Sequence, residues 1–144
     1  MATTHLVFVF GTLKAGFPNS ATNTGRRVPG EFSTAQAFPF FLVGERHSPW
    51  LLNVPGEGSR ITGEVYEVDD VGLARMDALE RITFSDGYER VLLDLLPVPP
   101  AQECAVQAHA YLKPARYRAG ADIRLGPFPA YTQEHAALYR KREG

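Results

Sequence analysis

Cysteine is nearly absent from this 144-residue chain, with Cys104 its only example. No intramolecular disulfide can form, which points toward a reducing compartment. Cys104 falls in an alternating apolar segment, where a buried structural thiol is expected. Long hydrophobic runs are lacking too. The longest, Leu6 to Phe10, is far too short to cross a bilayer. Met1 to Thr4 has none of the charge that precedes the apolar core of a secretory signal. No membrane association is expected, and a soluble cytoplasmic protein is the default. Neither sign of charge is in excess: 15 Lys and Arg stand against 16 Asp and Glu, for a formal net charge of −1. Nucleic acid and anionic membranes therefore have no electrostatic footprint here. The short run Arg140-Lys141-Arg142, followed by Glu143, reads as a solvated terminus.

Several catalytic signatures are missing as well. His5, His47, His109 and His135 are scattered, with no H-x-x-x-H or C-x-x-C, so a metal site has no support. No serine sits in G-x-S-x-G. Gly11 and Gly16 have the spacing of a phosphate loop, but Phe17-Pro18 stands where Lys-Ser/Thr is needed, and no G-x-G-x-x-G occurs. Internal repeats and low-complexity stretches are absent. What remains is an ordinary globular composition, 44% hydrophobic and 22% charged. The length fits one domain, residues 1–144, with a sizeable core.

Strands dominate what is there. His5 to Phe10 is β-branched and aromatic, apolar on both faces, and stops at Gly11, as a fully buried strand does. Ala37 to Val43 reads as one strand, with Pro39 marking an edge or bulge. Trp50 to Val54 is a short strand ended by Pro55-Gly56. Trp50 is expected in the core rather than as a ligand platform, with a pocket wall as its alternative role. Ile61 to Val68 alternates. Tyr88 to Leu95 and Cys104 to Leu112 follow, the latter with Gln107, His109 and Tyr111 opposite an apolar face. Asn19 to Gly30 is polar and of unassigned structure, Pro97 to Pro100 joins two strands, and a short helix is expected within Tyr131 to Arg142. One helix stands out, from Asp69 or Asp70 as N-cap to Glu80. Asp69, Asp70 and Asp77 read as a cap and a solvated face. The pattern is that of an α+β or small barrel-like domain rather than alternating βαβ units.

Glu80 is the anomaly of that helix. It lies four residues after Met76 and seven after Leu73, so it projects along their apolar stripe. Burying a carboxylate is costly unless it is paired, protonated or used. On pattern alone, the plain reading is that the helix frays at Leu79 and Glu80 turns to solvent. The other reading is a functional acid. Phe10-Gly11-Thr12-Leu13-Lys14-Ala15-Gly16 has the same duality. It is either a plain turn after a strand or a backbone cradle for a carboxylate or an oxyanion.

Taken in order, these segments resemble the γ-glutamyl cyclotransferase-like (AIG2-like) family. Phe10-Gly11-Thr12-Leu13 is similar to its Tyr-Gly-Thr-Leu signature. Pro49-Trp50-Leu51-Leu52, Val54-Pro55-Gly56, Gly63 to Asp69, Met76 to Glu80 and Tyr88-Glu89-Arg90-Val91 then follow in the family's order. Gly44-Glu45-Arg46 and the tail from Tyr131 to Glu143 resemble the γ-glutamylamine branch. The resemblance covers nearly the whole chain.

It implies a small mixed β-barrel with flanking helices. It also implies an activity without metal or cofactor: the α-amine of a γ-glutamyl group attacks its own γ-carbonyl, giving 5-oxoproline and a free amine. The branch's typical substrate is γ-glutamyl-ε-lysine. Glu80 matches the family's catalytic glutamate. Gly11, Thr12 and Leu13 match the backbone cradle, and Tyr88 a position that lines the pocket or packs in the strand. Phe10 departs from the signature tyrosine, which bears on substrate preference more than on the reaction. The expected partner is a small γ-glutamyl compound met by a monomer, although the sequence does not fix oligomeric state. Two alternatives stay open: the same chemistry on a γ-glutamyl dipeptide or metabolite, and a non-catalytic binding or interaction module.

Overall fold

The computed structural model describes residues 4–98 and 106–140, so Cys104 and Pro99-Pro100 lie outside the described residues. Eight strands and two helices follow in chain order. They are β1 (Thr4–Val9), β2 (Arg26–Phe38), β3 (Phe40–Val43), β4 (Ser48–Leu51), β5 (Ser59–Asp69), α1 (Asp70–Leu79), β6 (Glu89–Val98), β7 (Val106–Leu112), β8 (Ile123–Leu125) and α2 (Gln133–Ala136). Strands β1, β5, β2, β6 and β7 close into a barrel in that spatial order, and β4, β3 and β8 form a second small sheet. The fold is α+β, a small mixed barrel with flanking helices.

The apolar strand β1 is explained by what covers its two faces. Phe8 points into the barrel, among Phe32, Ile61, Val65, Leu95, Ala108 and Ala110. Val7 and Val9 point outward, where Leu73 and Met76 of α1 cover them together with Val68 and Tyr111. Every member of both sets is buried. Alternation in β5 and β7 likewise assigns one face to the barrel interior.

One pairing positions everything that follows. β1 is antiparallel to β5, but it closes the barrel against β7 in parallel, with Val7 opposite His109. Parallel neighbours end on the same side. The loop after β1 and the residues after β7 therefore emerge together. Strand β5 ends at the opposite side, where Asp69 caps α1 by accepting the Gly72 N–H at 2.7 Å. Ten helical residues then return the chain by about 15 Å, to the side where β1 and β7 end.

One expectation is corrected, and one unassigned stretch gains its structure. Ala37 to Val43 is two strands, not one: Pro39, which cannot donate to a ladder, separates β2 of the barrel from β3 of the small sheet. The unassigned stretch from Asn19 to Gly30 holds a 3₁₀ turn at Ser20–Thr22 and the start of β2, a 13-residue strand whose first half is largely exposed. The short C-terminal helix is present as α2. Among the described residues no helix is long and apolar enough to cross a membrane.

Candidate active site

A cavity of about 780 Å³ opens where the loop after β1, the end of α1 and the end of β7 meet. Phe10, Gly11, Thr12, Leu13, Glu80 and Tyr88 all line it. The six residues singled out from sequence thus come together, from three separate segments.

Glu80 is the last residue with helical backbone, and two bonds fix it. Its N–H donates to the Met76 carbonyl at 2.9 Å, and its own carbonyl accepts the Tyr88 N–H at 3.0 Å. Arg81 then stops the helix in the left-handed region (φ 56°). The intervening loop folds back so closely that a Cβ on Gly87 would fall 1.7 Å from the Arg81 carbonyl oxygen. Only glycine fits there. The Arg81 guanidinium spans the same loop to Asp86, with Nη2 to Oδ1 at 3.0 Å.

The Glu80 side chain is half-buried in the cavity wall instead of turning to open solvent. Among the described residues no hydrogen-bond donor reaches its carboxylate. Loss of water therefore dominates, and pushes its pKa up to about 7, against a smaller opposing pull from the Lys113 ammonium. An acid poised near neutrality can take and return a proton at physiological pH.

The loop 11–16 is held from behind. The Gly11 carbonyl accepts the Lys14 N–H (3.1 Å), the Thr12 carbonyl accepts the Asn19 N–H (2.8 Å), and the Leu13 carbonyl accepts Asn23 Nδ2 (3.2 Å). In a trans peptide the next N–H points opposite the carbonyl. The Thr12 and Leu13 N–H groups thus face away from those bonds. Gly16 takes the left-handed backbone (φ 80°) that ends the loop. Glu64 accepts the Ala15 N–H at 3.0 Å, and Lys14 leaves the loop to donate to the Tyr131 carbonyl at 2.5 Å. Phe10 presents a buried ring wedged against Phe8 and Phe40, with centroids 5.6 and 5.4 Å away.

Several cavity residues escaped the sequence reading. Lys113, nearly buried at 5% exposure, donates to the Asp86 carbonyl at 2.6 Å. Its Nζ lies 4.6 Å from the ring centre of Trp50, 4.7 Å from Tyr88 and 5.1 Å from Tyr117. Trp50 takes the pocket-wall alternative expected for it from sequence. Lys113 follows His109 and Tyr111 on one face of β7, and that parity is the signal the sequence offered. The Tyr88 hydroxyl donates to the Pro49 carbonyl at 3.0 Å, so Tyr88 both lines the cavity and ties β4 to the loop after α1. Tyr139 brings the C-terminal tail to the rim: its hydroxyl accepts Asn19 Nδ2 at 3.2 Å, and Arg46 binds the Arg140 carbonyl beside it at 3.0 Å. Asp77 is no solvated residue. It accepts Tyr111 Oη at 2.6 Å and Arg90 Nη1 at 2.5 Å. Burial first, and that bond second, raise the Tyr111 phenol well above its ordinary range. Among the described residues no cluster of His, Cys, Asp and Glu could hold a metal.

Comparison with known proteins agrees with this frame. The family model described as gamma-glutamyl cyclotransferase, AIG2-like, matches residues 7–130. The gamma-glutamylaminecyclotransferase of Homo sapiens is 36% identical over 126 residues, 76% of this chain and 81% of that protein. Gamma-glutamylaminecyclotransferase B of Danio rerio is 40% identical over 95 residues, 62% of this chain and 49% of that one. The matches thus span about half the length of several curated relatives. The crystal structure of an AIG2-like protein from Mus musculus superposes with a TM-score of 0.78 at 28% identity, over 98% of this chain and 97% of that one. On sequence and fold together, the chain belongs to the AIG2-like gamma-glutamyl cyclotransferase family.

Proposed function

We propose that this protein cyclises γ-glutamyl amines to 5-oxoproline, with Glu80 as general base and then general acid. The observation that carries the reading is Glu80 itself, a carboxylate without a donor among the described residues, held at the wall of a cavity and poised near neutral pH. A free α-amine ordinarily titrates at about pH 8 and is mostly protonated at neutrality. Ionised Glu80 takes its proton. The amine nitrogen then bonds to the carbon of the γ-carbonyl group, and the carbonyl oxygen becomes an oxyanion. Glu80 returns a proton to the departing nitrogen as the old C–N bond breaks. The two protons lost by the attacking nitrogen end on the released ammonium, so the reaction balances without a cofactor.

The Gly11-Thr12-Leu13 segment supplies backbone N–H groups toward the oxyanion, each worth roughly 3 kcal/mol if preorganised. Ring closure is intramolecular, so the remaining task is to fold the glutamyl chain into the geometry of attack. Phe10 and Tyr88 shape the wall against which it folds. The family and the names of its relatives support γ-glutamyl amines as the class, with γ-glutamyl-ε-lysine the first substrate to try. One observation favours a broader range. The cavity is in the size range of drug-like ligand sites, more than a five-carbon glutamyl group fills, and Phe10 offers no hydroxyl.

The test is 5-oxoproline release from γ-glutamyl-ε-lysine, glutathione and γ-glutamyl-alanine, by wild type and E80Q. Turnover that needs Glu80 supports the reaction, and the preferred compound assigns the leaving group. Binding of these compounds without turnover by wild type would replace the reading with that of a binding module.

A further inference from the structure

We propose that Lys113 recognises the α-carboxylate of the γ-glutamyl group, making it the residue that selects substrates with an intact amino-acid head. The inference rests on the cyclase reading above, and it starts from connectivity. The α-amine and the α-carboxylate share one carbon, so the groups that receive them must be neighbours. If Glu80 takes the amine, the cation for the carboxylate has to lie beside Glu80.

Among the described residues three cationic side chains line the cavity, Arg46, Arg81 and Lys113. Arg46 is at the rim, bound to the tail through the Arg140 carbonyl and the Tyr139 hydroxyl. Arg81 is bound through two nitrogens to Asp86 Oδ1. Lys113 is inside, and it is anchored to the same loop that fixes Glu80. Its Nζ binds the Asp86 carbonyl and sits over the Tyr88 ring, and the Tyr88 N–H holds the Glu80 carbonyl. Among the described residues it is also the charge whose field is felt at Glu80. The aromatic walls from Trp50, Tyr88 and Tyr117 limit water around the ammonium, which strengthens its attraction for a carboxylate. With the carboxylate on Lys113, the Gly11-Thr12-Leu13 cradle is left to the oxyanion.

The experiment compares 5-oxoproline with its carboxamide as ligands of wild type, K113M and K113R, with thermal melts alongside. A charge-assisted contact predicts that wild type binds the acid about 10- to 100-fold more tightly than the amide. K113M should bind the two nearly equally, and K113R should recover part of the preference. A merely structural lysine would weaken both ligands together. Equal binding of acid and amide by wild type, or an undiminished preference in K113M, would overturn the inference. If K113M does not fold, the intact protein decides. The chain has three lysines, and the Lys113 side-chain nitrogen resonance must shift with 5-oxoproline and not with the amide. Turnover of γ-glutamyl amines without carboxylate preference would remove only the role of Lys113. Failure of turnover with the preference intact would remove only the catalytic reading.

Discussion

Asp77 and Glu80 stand three residues apart near the end of one helix, and they occupy opposite chemical worlds. Asp77 is saturated, with the Tyr111 phenol on one oxygen and the Arg90 guanidinium on the other. Glu80 has no donor among the described residues, and burial pushes it up to about 7. The first carboxylate ties α1 to β6 and β7 through those two contacts. The second is left able to change its protonation state. Sequence spacing on the helix does not make this difference. It comes from which partners the barrel delivers: Tyr111 and Arg90 reach one acid, and a cavity opens at the other.

The largest expected effect is on catalysis. E80Q should lower kcat by about 10²- to 10⁴-fold, the span of a lost general acid–base, while D77N should retain most of the activity of whatever fraction folds. Steady-state 5-oxoproline release measures both. A D77N variant that folds normally but is as inactive as E80Q would erase the distinction.

The second contrast is in stability, and its sign differs between the two acids. Removing Asp77 by mutation to Ala strands a buried phenol and a half-buried guanidinium, at a cost of about 1–3 kcal/mol. For Glu80 the folded pKa is raised above its unfolded value of 4.5. The folded state then binds more protons between those two values. Stability from this group is full below about pH 4.5 and declines as pH rises through 7. E80Q should therefore be more stable than wild type at pH 8, by on the order of 2 kcal/mol, with the advantage shrinking toward pH 4. Denaturant melts across that range follow the narrowing gap, and a pH-independent difference would contradict it.

How much of this was legible beforehand depends on the segment. Strands β1, β5 and β7 were readable because each buries at least one whole face, and burial writes itself as periodicity. The first half of β2 was not, since it runs exposed along the barrel and carries polar residues that also suit a loop. Pro39 signalled an interruption without saying that the chain changes sheets there. Glu80 stood out because an acid on an apolar stripe breaks a pattern. Lys113 broke none: a lysine closing a strand looks solvated, and its burial follows only from the parallel β1–β7 pair and the rings brought in from β4 and the loops. Asp77 was misread for the same reason, because its partners lie 13 and 34 residues away.

The pH profile sharpens the contrast further. As a base, Glu80 must be ionised in the free enzyme, so kcat/KM should rise with pH along a limb centred near 7. Lys113 opposes the burial that raises this pKa, so K113M should shift the limb to higher pH. D77N should leave it in place, since burial and Lys113, not Asp77, set the Glu80 pKa. A limb that moves with D77N and not with K113M would invert the assignment of the two environments.

The smallest expected effect lies farthest from both acids, at the rim. The Tyr139 hydroxyl joins the tail to Asn19, and Asn19 donates in turn to Thr12 Oγ1 at 2.8 Å. Removing the hydroxyl in Y139F loses two part-buried hydrogen bonds, from Asn19 Nδ2 at 3.2 Å and a longer one from Arg46 Nη2 at 3.4 Å, together worth about 1 kcal/mol. The consequence should fall on the part of the substrate beyond the γ-carbonyl, because Tyr139 lines the cavity at the rim and Glu80 lies at the end of α1. KM for γ-glutamyl-ε-lysine should rise a few-fold, roughly what 1 kcal/mol allows, with kcat and the pH limb unchanged. If kcat falls instead, the tail is acting on the Thr12 segment through Asn19, and the rim belongs to the catalytic machinery rather than to the choice of leaving group.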